Sequence, residues 1–347
     1  MKKTLNWVSQ NLLHHSSWGA YFEPLIQVFK PAWREGYYRA TVVAIEELME
    51  NTIALTLAVE KSWPIHQAGQ HIELTLQLNG RLITRVFTIA SSPQQAKTKQ
   101  NIRLVIKQQR NGQLTPSLHE LAVGHWVNIS SPKGEFVVEH LAKKSLCLAA
   151  GSGITPFIAM VEALKARHSN QSQVHLLYYA KKGEHLLVDE LSALAKDIPN
   201  FSFELMTRQT HGDVGEQLAN FAHTALYVCG PNAFYQSVAD FAKETGSELY
   251  SEHFSLIAFA PSEQATFDLS YNGKTLAISN SSTLLPQLLD LGERVTYGCK
   301  MGICHQCQCT KKSGVVKNVL TGKLSDRGEE LIQLCVSQVM TDVELKI

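Results

Sequence analysis

The sequence predicts a multidomain α/β + β chain: an antiparallel β-barrel, a parallel α/β domain and a small β-grasp-like sheet. Three observations predict it. Residues 37–140 hold short β-branched runs parted by turn signals, and residues 141–254 alternate apolar strands with helical segments. Residues 265–347 open with a hairpin and run into a cysteine-rich loop. A chain of 347 residues is too long for one core and suits two or three domains.

The elements follow in order. Residues 1–36 form an aromatic-rich leader with Trp7, Trp18, Tyr21, Phe22, Phe29 and Trp33, expected to pack across a domain exterior, or else to face a partner or a bilayer. In 37–140 the expected strands are Tyr38–Ile45, Thr52–Val59, His71–Leu78, Leu82–Ile89, Ile102–Lys107 and Trp126–Ser130. Asn79-Gly80, Ser91-Ser92-Pro93 and Asn111-Gly112 read as turns between them, which suggests a small barrel. In 141–254 the strands are Ser145–Ala149, Val174–Tyr179, Phe201–Met206, Ala225–Val228 and Glu248–Tyr250. Helices are expected from Pro156 and over 186–196 and 232–243, giving the βαβ rhythm of a parallel sheet. Residues 255–264, with Pro261-Ser262-Glu263-Gln264, read as a linker. In 265–347, Phe267–Tyr271 and Thr275–Ile278 flank Asn272-Gly273, the strongest two-residue hairpin signal, and a helix follows near Thr283–Leu291.

Composition excludes several classes. Charged residues make up 18%, hydrophobic ones 44%, and the net charge is +1, so no basic excess points to nucleic acid. Met1-Lys2-Lys3 is followed by Asn6, Ser9, Gln10 and Asn11, which breaks any signal-peptide core and argues against export. No window approaches the roughly 18 apolar residues of a membrane span.

The cysteines carry the first chemistry. Cys299, Cys304 and Cys307 have the spacing C-x4-C-x2-C, and Cys335 follows after a long gap. That is the plant-type pattern for a 2Fe–2S cluster on four thiolates. Structural zinc is the alternative, although zinc ribbons usually pair two short CxxC knuckles. Gly298 and Gly302 suit a loop wrapped closely around inorganic sulfide. Of the seven cysteines this leaves Cys147, Cys229 and Cys309. Three leftover thiols argue against disulfides and for a reducing, cytoplasmic setting, and Cys309 reads as a bystander.

Three other segments fit ligand chemistry. Gly151-Ser152-Gly153-Ile154-Thr155-Pro156 follows a strand and opens a helix. The glycines allow close approach of a pyrophosphate, Thr155 suits an N-cap and Pro156 suits the first helical position. The third glycine of the dinucleotide fingerprint is absent. Cys229-Gly230-Pro231 ends a later strand, where a thiol can line a crevice; the bland reading is a buried structural cysteine. In Arg85-Val86-Phe87-Thr88, alternation sets Arg85 and Phe87 on one face and Thr88 on the other. The arginine can bind phosphate, the aromatic can cover a flat ring, and the hydroxyl can bond a ring nitrogen.

Together these segments resemble ferredoxin–NADP reductase-type flavoproteins fused to a C-terminal plant-type ferredoxin, over about residues 38–347. The resemblance makes 37–140 a FAD-binding barrel, 141–254 an NAD(P)-binding domain and 265–347 a 2Fe–2S ferredoxin domain. Arg85-x-Phe87-Thr88 resembles the family's Arg-x-Tyr-Ser flavin motif, and Asn111–Thr115, with Gly112 and Thr115, resembles its flavin pyrophosphate loop. His119 also matches that segment. This second phosphate segment implies FAD rather than FMN. Gly151, Gly153, Thr155 and Pro156 resemble the nicotinamide-dinucleotide phosphate loop. Gly230 and Pro231, with Cys229, resemble the nicotinamide-side motif, and Glu252-His253-Phe254 resembles the end of the reductase unit near the flavin ring. Cys229, Glu252 and Thr88 are the catalytic residues implied, and Phe254 a cofactor contact.

The second α/β strand ends in Ala180-Lys181-Lys182, and Arg208 follows the third. Cations there favour the 2′-phosphate of NADPH over NADH, unless they are only a solvated turn. A nicotinamide gives two electrons at once and a cluster takes one, so a flavin stands between them. The leader and the Gly298–His305 run resemble reductases of fatty-acyl desaturases, with Rieske ring-hydroxylating oxygenases as the near alternative. Either acceptor is a separate protein, and any membrane contact would be peripheral and through it. A non-enzymatic redox sensor or binding protein on the same scaffold is the reading from another class.

Overall fold

The computed structural model describes residues 22, 25, 37–78, 81–108, 114–137, 144–165, 172–253, 265–298, 300, 302, 306–320 and 322–346. The expectations for the leader, the linker, Asn79-Gly80 and Asn111-Gly112 fall outside them. The chain divides into two compact units, the first ending at Thr207 and the second beginning at Arg208.

The first unit opens with β1 (Tyr37–Met49), β2 (Thr52–Val59), β3 (His71–Leu78) and β4 (Arg81–Thr88). Helix α1 (Pro93–Lys99) precedes β5 (Asn101–Lys107), a 3₁₀ turn covers Thr115–Glu120, and β6 is Trp126–Ser130. The six strands pair in the order β4-β3-β6-β1-β2-β5. Each pairing is antiparallel. An isolated bridge from Ile89 to Leu104 brings the two edges together, so the sheet closes as a barrel. Alternate residues fill it: Leu55 faces Leu104 and Leu57 faces Ile102 across β2 and β5, all fully buried.

Two local readings differ. Strand β1 runs past Ile45 to Met49, because Glu46 and Glu47 continue the ladder with exposed side chains. Ser91-Ser92-Pro93 is not a turn. Ser92 is extended (φ −69°, ψ 154°) and Pro93 begins α1, the arrangement in which a missing N–H costs least.

The same unit continues with β7 (Lys144–Ala150), α2 (Thr155–Lys165), β8 (Gln173–Tyr179), α3 (Val188–Asp197) and β9 (Phe201–Met206). Strands β7, β8 and β9 are parallel neighbours. Helix α2 is buried from Thr155 through Val161, as an enclosed helix must be. Thr155 is not the N-cap expected. A 3₁₀ turn over Gly151–Ile154 feeds α2 directly, and Thr155 is already helical (φ −59°, ψ −44°). Its hydroxyl donates to the Ser152 carbonyl at 3.0 Å instead of accepting from the helix.

Arg103 of β5 binds Glu190 of α3 through two bonds of 2.7 and 2.6 Å, and its Nε donates to the Ala90 carbonyl at 3.2 Å. Ser92 N–H donates to Glu162 of α2 at 2.9 Å, and burial pushes that carboxyl up. Phe136 packs edge-on against Phe157, with centroids 5.7 Å apart. These contacts fasten the barrel to its α/β neighbour. A double-mutant cycle of Arg103→Ala and Glu190→Ala in denaturant unfolding should return a coupling of about 1–3 kcal/mol. Additive single effects would remove the pair from this role.

The second unit begins with α4 (Arg208–His211) and α5 (Val214–Gln217), the latter held by an Asp213/Glu216 capping box. Strand β10 (Ala225–Gly230), helix α6 (Asn232–Thr245) and strand β11 (Leu249–His253) follow, with β10 and β11 parallel. Pro231 is the extended residue before α6 rather than its first turn.

The remainder is β12 (Thr266–Tyr271), β13 (Lys274–Ser279), α7 (Leu284–Asp290), β14 (Gln308–Ser313), β15 (Val316–Asn318), β16 (Glu330–Gln333), β17 (Ser337–Val339) and β18 (Val343–Lys346). The main sheet has the order β13-β12-β18-β14-β16, with β12 and β18 parallel. Leu284, Leu285 and Leu288 of α7 share its core with Leu269, Tyr271, Ile278, Ile332 and Leu345. Asn272 and Gly273 both take positive φ (51° and 73°), as a two-residue hairpin turn of this hand requires.

Candidate electron-transfer sites

On β4 the alternation is as expected. Thr84, Val86 and Thr88 are buried, and Arg85 and Phe87 are half-buried on the other face. Arg85 Nη1 donates to the Thr84 carbonyl at 2.7 Å, which fixes the guanidinium beside its own strand. Phe87 lies opposite Ile72 and packs partly on the barrel core. Thr88 lies opposite His71. Thr115 is buried at the start of the 3₁₀ turn. Gly112 lies outside the described residues, as does the side chain of His119. The cation, aromatic and buried hydroxyls of β4, and the hydroxyl of Thr115, are side chains of the kinds that suit a flavin and its phosphates.

The Gly151–Pro156 segment turns sharply at Gly151, which takes φ +57°, a conformation that favours glycine. Gly153, Thr155 and Pro156 are buried in the turn and first helical residues. The loop is held from beneath by Tyr178 of β8, whose hydroxyl donates to the Gly151 carbonyl at 3.1 Å. Sequence reasoning missed this residue, because Val174–Tyr179 reads as a uniform buried strand with nothing to mark one tyrosine.

Lys181 and Lys182 are exposed in the turn after β8, closed by Glu184 N–H on the Lys181 carbonyl at 2.9 Å. Glu184 pairs with Lys107 at 3.1 Å. Lys107 first, then Lys181, holds the Glu184 carboxyl below its ordinary range. Arg208 starts α4 and pairs with Asp213 at 2.5 Å. The Asp213 carboxyl is held low by a bond from Ser237 first, with Arg208 adding to it. Arg208 therefore has a carboxylate partner already.

Cys229 lies within β10, not past its end, and is fully buried opposite Glu252 of β11, which is 8% exposed. Burial first, then the Glu252 charge, pushes the thiol well above its ordinary value. Cys229 is thus a neutral thiol near pH 7. It can pack and orient but is no thiolate nucleophile. Just beyond Gly230 and Pro231, Asn232 Oδ1 is buried with no hydrogen-bond partner among the described residues. A ligand amide would satisfy such an acceptor. Phe254 lies outside the described residues.

Of the four motif cysteines, Cys299 and Cys304 lie outside the described residues. Cys307 and Cys335 are buried, with Cys335 N–H directed at Cys307 Sγ at 3.5 Å. Gly302 N–H donates to Cys335 Sγ at 3.1 Å. Gly302 takes φ +77°, and a Cβ there would lie 2.8 Å from Val336 Cγ1 and 2.9 Å from Leu320 Cδ1. Gly302 thus packs closely on Val336 and Leu320 with its N–H on the Cys335 sulfur, and backbone N–H bonds to sulfur are what a thiolate-held cluster uses. Among the described residues no three metal-ligating side chains converge. Cys309 is half-buried on β14, its thiol pushed up to about 12 by burial and by Cys307.

Residues 39–138 match the oxidoreductase FAD-binding domain family, and residues 147–240 match the oxidoreductase NAD-binding domain family. The NADPH oxidoreductase of Mycobacterium tuberculosis is 26% identical over 93% of this chain and 87% of its own length. The heme-dependent oxidative N-demethylase beta subunit of Ectopseudomonas mendocina is 30% identical over 75% of this chain and 82% of its own. The glycine betaine monooxygenase reductase subunit of Chromohalobacter salexigens is 24% identical over 89% and 94%. Among solved structures, phthalate dioxygenase reductase, described as modular for electron transfer from pyridine nucleotides to 2Fe–2S, shares the fold. Its TM-score is 0.60 at 22% identity, over 90% of this chain and 98% of its own. The family matches and the NADPH oxidoreductase relative set aside the non-enzymatic reading. The chain belongs to the FAD- and NAD-binding oxidoreductases of the ferredoxin–NADP reductase type, and it is an NAD(P)H-dependent flavin oxidoreductase.

Proposed function

We propose that this protein takes electrons from NAD(P)H through FAD to a 2Fe–2S cluster on Cys299, Cys304, Cys307 and Cys335, and delivers them singly to a separate oxygenase. The observation that carries this reading is the Gly302 N–H bond to the Cys335 sulfur, downstream of matched FAD- and NAD-binding domains. Bound flavin supplies the conversion between two-electron and one-electron transfer. The chain's own residues do the positioning. Arg85 and Thr115 hold flavin phosphates, Phe87 and Thr88 flank the ring, and Gly151–Pro156 holds the dinucleotide. Cys229, as a neutral thiol, and Glu252 border the nicotinamide.

A fatty-acyl desaturase is the acceptor that the cysteine loop and leader suggest. The names of the relatives, which serve monooxygenases, N-demethylases and dioxygenases, support an oxygenase as strongly. The purified protein should release FAD on denaturation, with iron and acid-labile sulfide bound. FMN in its place would overturn the flavin assignment, and zinc without sulfide would overturn the cluster.

The cations after β8 make NADPH the donor of choice. Exposed Lys181 and Lys182 should shift the ratio of kcat/KM for NADPH over NADH by about tenfold between the native protein and the Lys181→Ala, Lys182→Ala double variant. An unaltered ratio, or a native preference for NADH, would show that they are only a solvated turn.

A further inference from the structure

Beneath the phosphate loop sits a buried polar assembly for which neither the family matches nor the sequence motifs give a role. Tyr178 is fully buried at the carboxyl end of β8. Its hydroxyl donates to the Gly151 carbonyl at 3.1 Å and accepts from Leu186 N–H at 2.9 Å. His185 stands edge-on to the Tyr178 ring, with centroids 5.0 Å apart and planes at 90°. Its Nε2 reaches the carbonyls of Tyr178 at 3.1 Å and Met206 at 3.0 Å, so it ties the ends of β8 and β9 together. The tyrosine is therefore fixed from both sides, by the chain at Leu186 and by the imidazole.

We infer that Tyr178 is a positioning residue for dinucleotide binding: its hydroxyl holds the Gly151 carbonyl inward and so turns the Ser152 N–H outward to the pyrophosphate. The geometry follows from the peptide unit. In a trans peptide the C=O of one residue and the N–H of the next point in opposite directions. The structure contains no cis peptide bond among its described residues. Anchoring the Gly151 oxygen in the protein thus aims the following N–H away from it, and Ser152 is the exposed residue of the turn. The anchor matters because Gly151, at φ +57° and with open space around its missing Cβ, meets no side-chain neighbour there that would fix its peptide. Without the tyrosine oxygen that peptide can rotate, and a rotated unit presents a carbonyl to a phosphate. The Leu186 bond adds a second effect, coupling the loop to the segment after Lys181 and Lys182.

This inference rests on the reading of Gly151–Pro156 as the dinucleotide phosphate loop, so the test separates the two. Tyr178→Phe deletes one oxygen and keeps the ring in place. ADP-ribose, which carries the pyrophosphate without the nicotinamide, is titrated calorimetrically into the holoprotein, and steady-state KM and kcat are measured with NADPH and NADH. Loss of one hydrogen bond should weaken ADP-ribose binding and raise KM by about three- to tenfold, with kcat and flavin content unchanged. His185→Ala should shift binding in the same direction by less. Unchanged ADP-ribose affinity in Tyr178→Phe would overturn the inference, and so would an equal fall in flavin content, which would make Tyr178 merely a core residue. Gly153→Val is the control for the underlying reading. If it left ADP-ribose binding intact, the loop itself would not be the phosphate site and the inference would fall with it.

Discussion

Replacing Cys335 by Ser should abolish electron delivery to cytochrome c or the native acceptor while flavin reduction by NADPH proceeds at its normal rate. Cys335 is fully buried, its sulfur accepts from Gly302 N–H, and its own N–H points at Cys307 Sγ. A serine oxygen in that socket is a harder and shorter ligand than sulfur. The loss should exceed the roughly 10–100-fold typical of removing an outer-shell partner. Cys309→Ser should leave delivery intact, since Cys309 sits two positions on from Cys307 in β14, on the core face. Retention of the cluster in Cys335→Ser and its loss in Cys309→Ser would reverse the ligand assignment. Flavin reduction serves as the internal control, because none of the segments proposed to hold flavin or nicotinamide includes Cys335.

Cys229→Ala should slow flavin reduction by about tens- to hundreds-fold, the scale of losing a group that orients a reactant, with flavin content preserved. The thiol is buried and neutral, held so by its surroundings and by Glu252. Two consequences separate orientation from nucleophilic chemistry. The reduction rate should show no titration assignable to this thiol around neutrality, because its ionisation lies well above the ordinary thiol range. Iodoacetamide should leave it unmodified in the folded protein. Rapid alkylation, or reduction rates unchanged in Cys229→Ala, would remove it from the mechanism.

The barrel was legible because its strands are short β-branched runs parted by turn signals, even though β3 is buried on both faces and does not alternate. The register that sets Leu55 opposite Leu104 and Leu57 opposite Ile102 was not legible, because no single strand carries its partner's alignment. The Asn272-Gly273 turn was legible because few dipeptides accept two positive φ values. Helix α1 was not, since serine before proline signals a turn and a helix start alike. The entry to α2 was misread for a related reason. Thr155 and Pro156 suit a helix start, yet the turn at Gly151 begins the helical path earlier. Of the residues singled out by motifs, Arg85, Phe87 and Thr88 lie on the strand the alternation implied, whereas Thr155 is already helical and Cys229 lies within β10. The Tyr178–His185 assembly and the Arg208–Asp213 pair join residues by side-chain geometry alone, and no local pattern announces such contacts.

Anaerobic reduction by NADPH in a stopped-flow instrument, read at flavin and at iron–sulfur absorbance, tests the proposed electron path most directly. Flavin bleaching should come first and cluster bleaching second, and a titration should end near roughly three electrons per chain, two on the flavin and one on the cluster. Uptake that stops near two, with no second absorbance change and with zinc in place of iron, would contradict a cluster as the outlet and leave a simple flavin reductase.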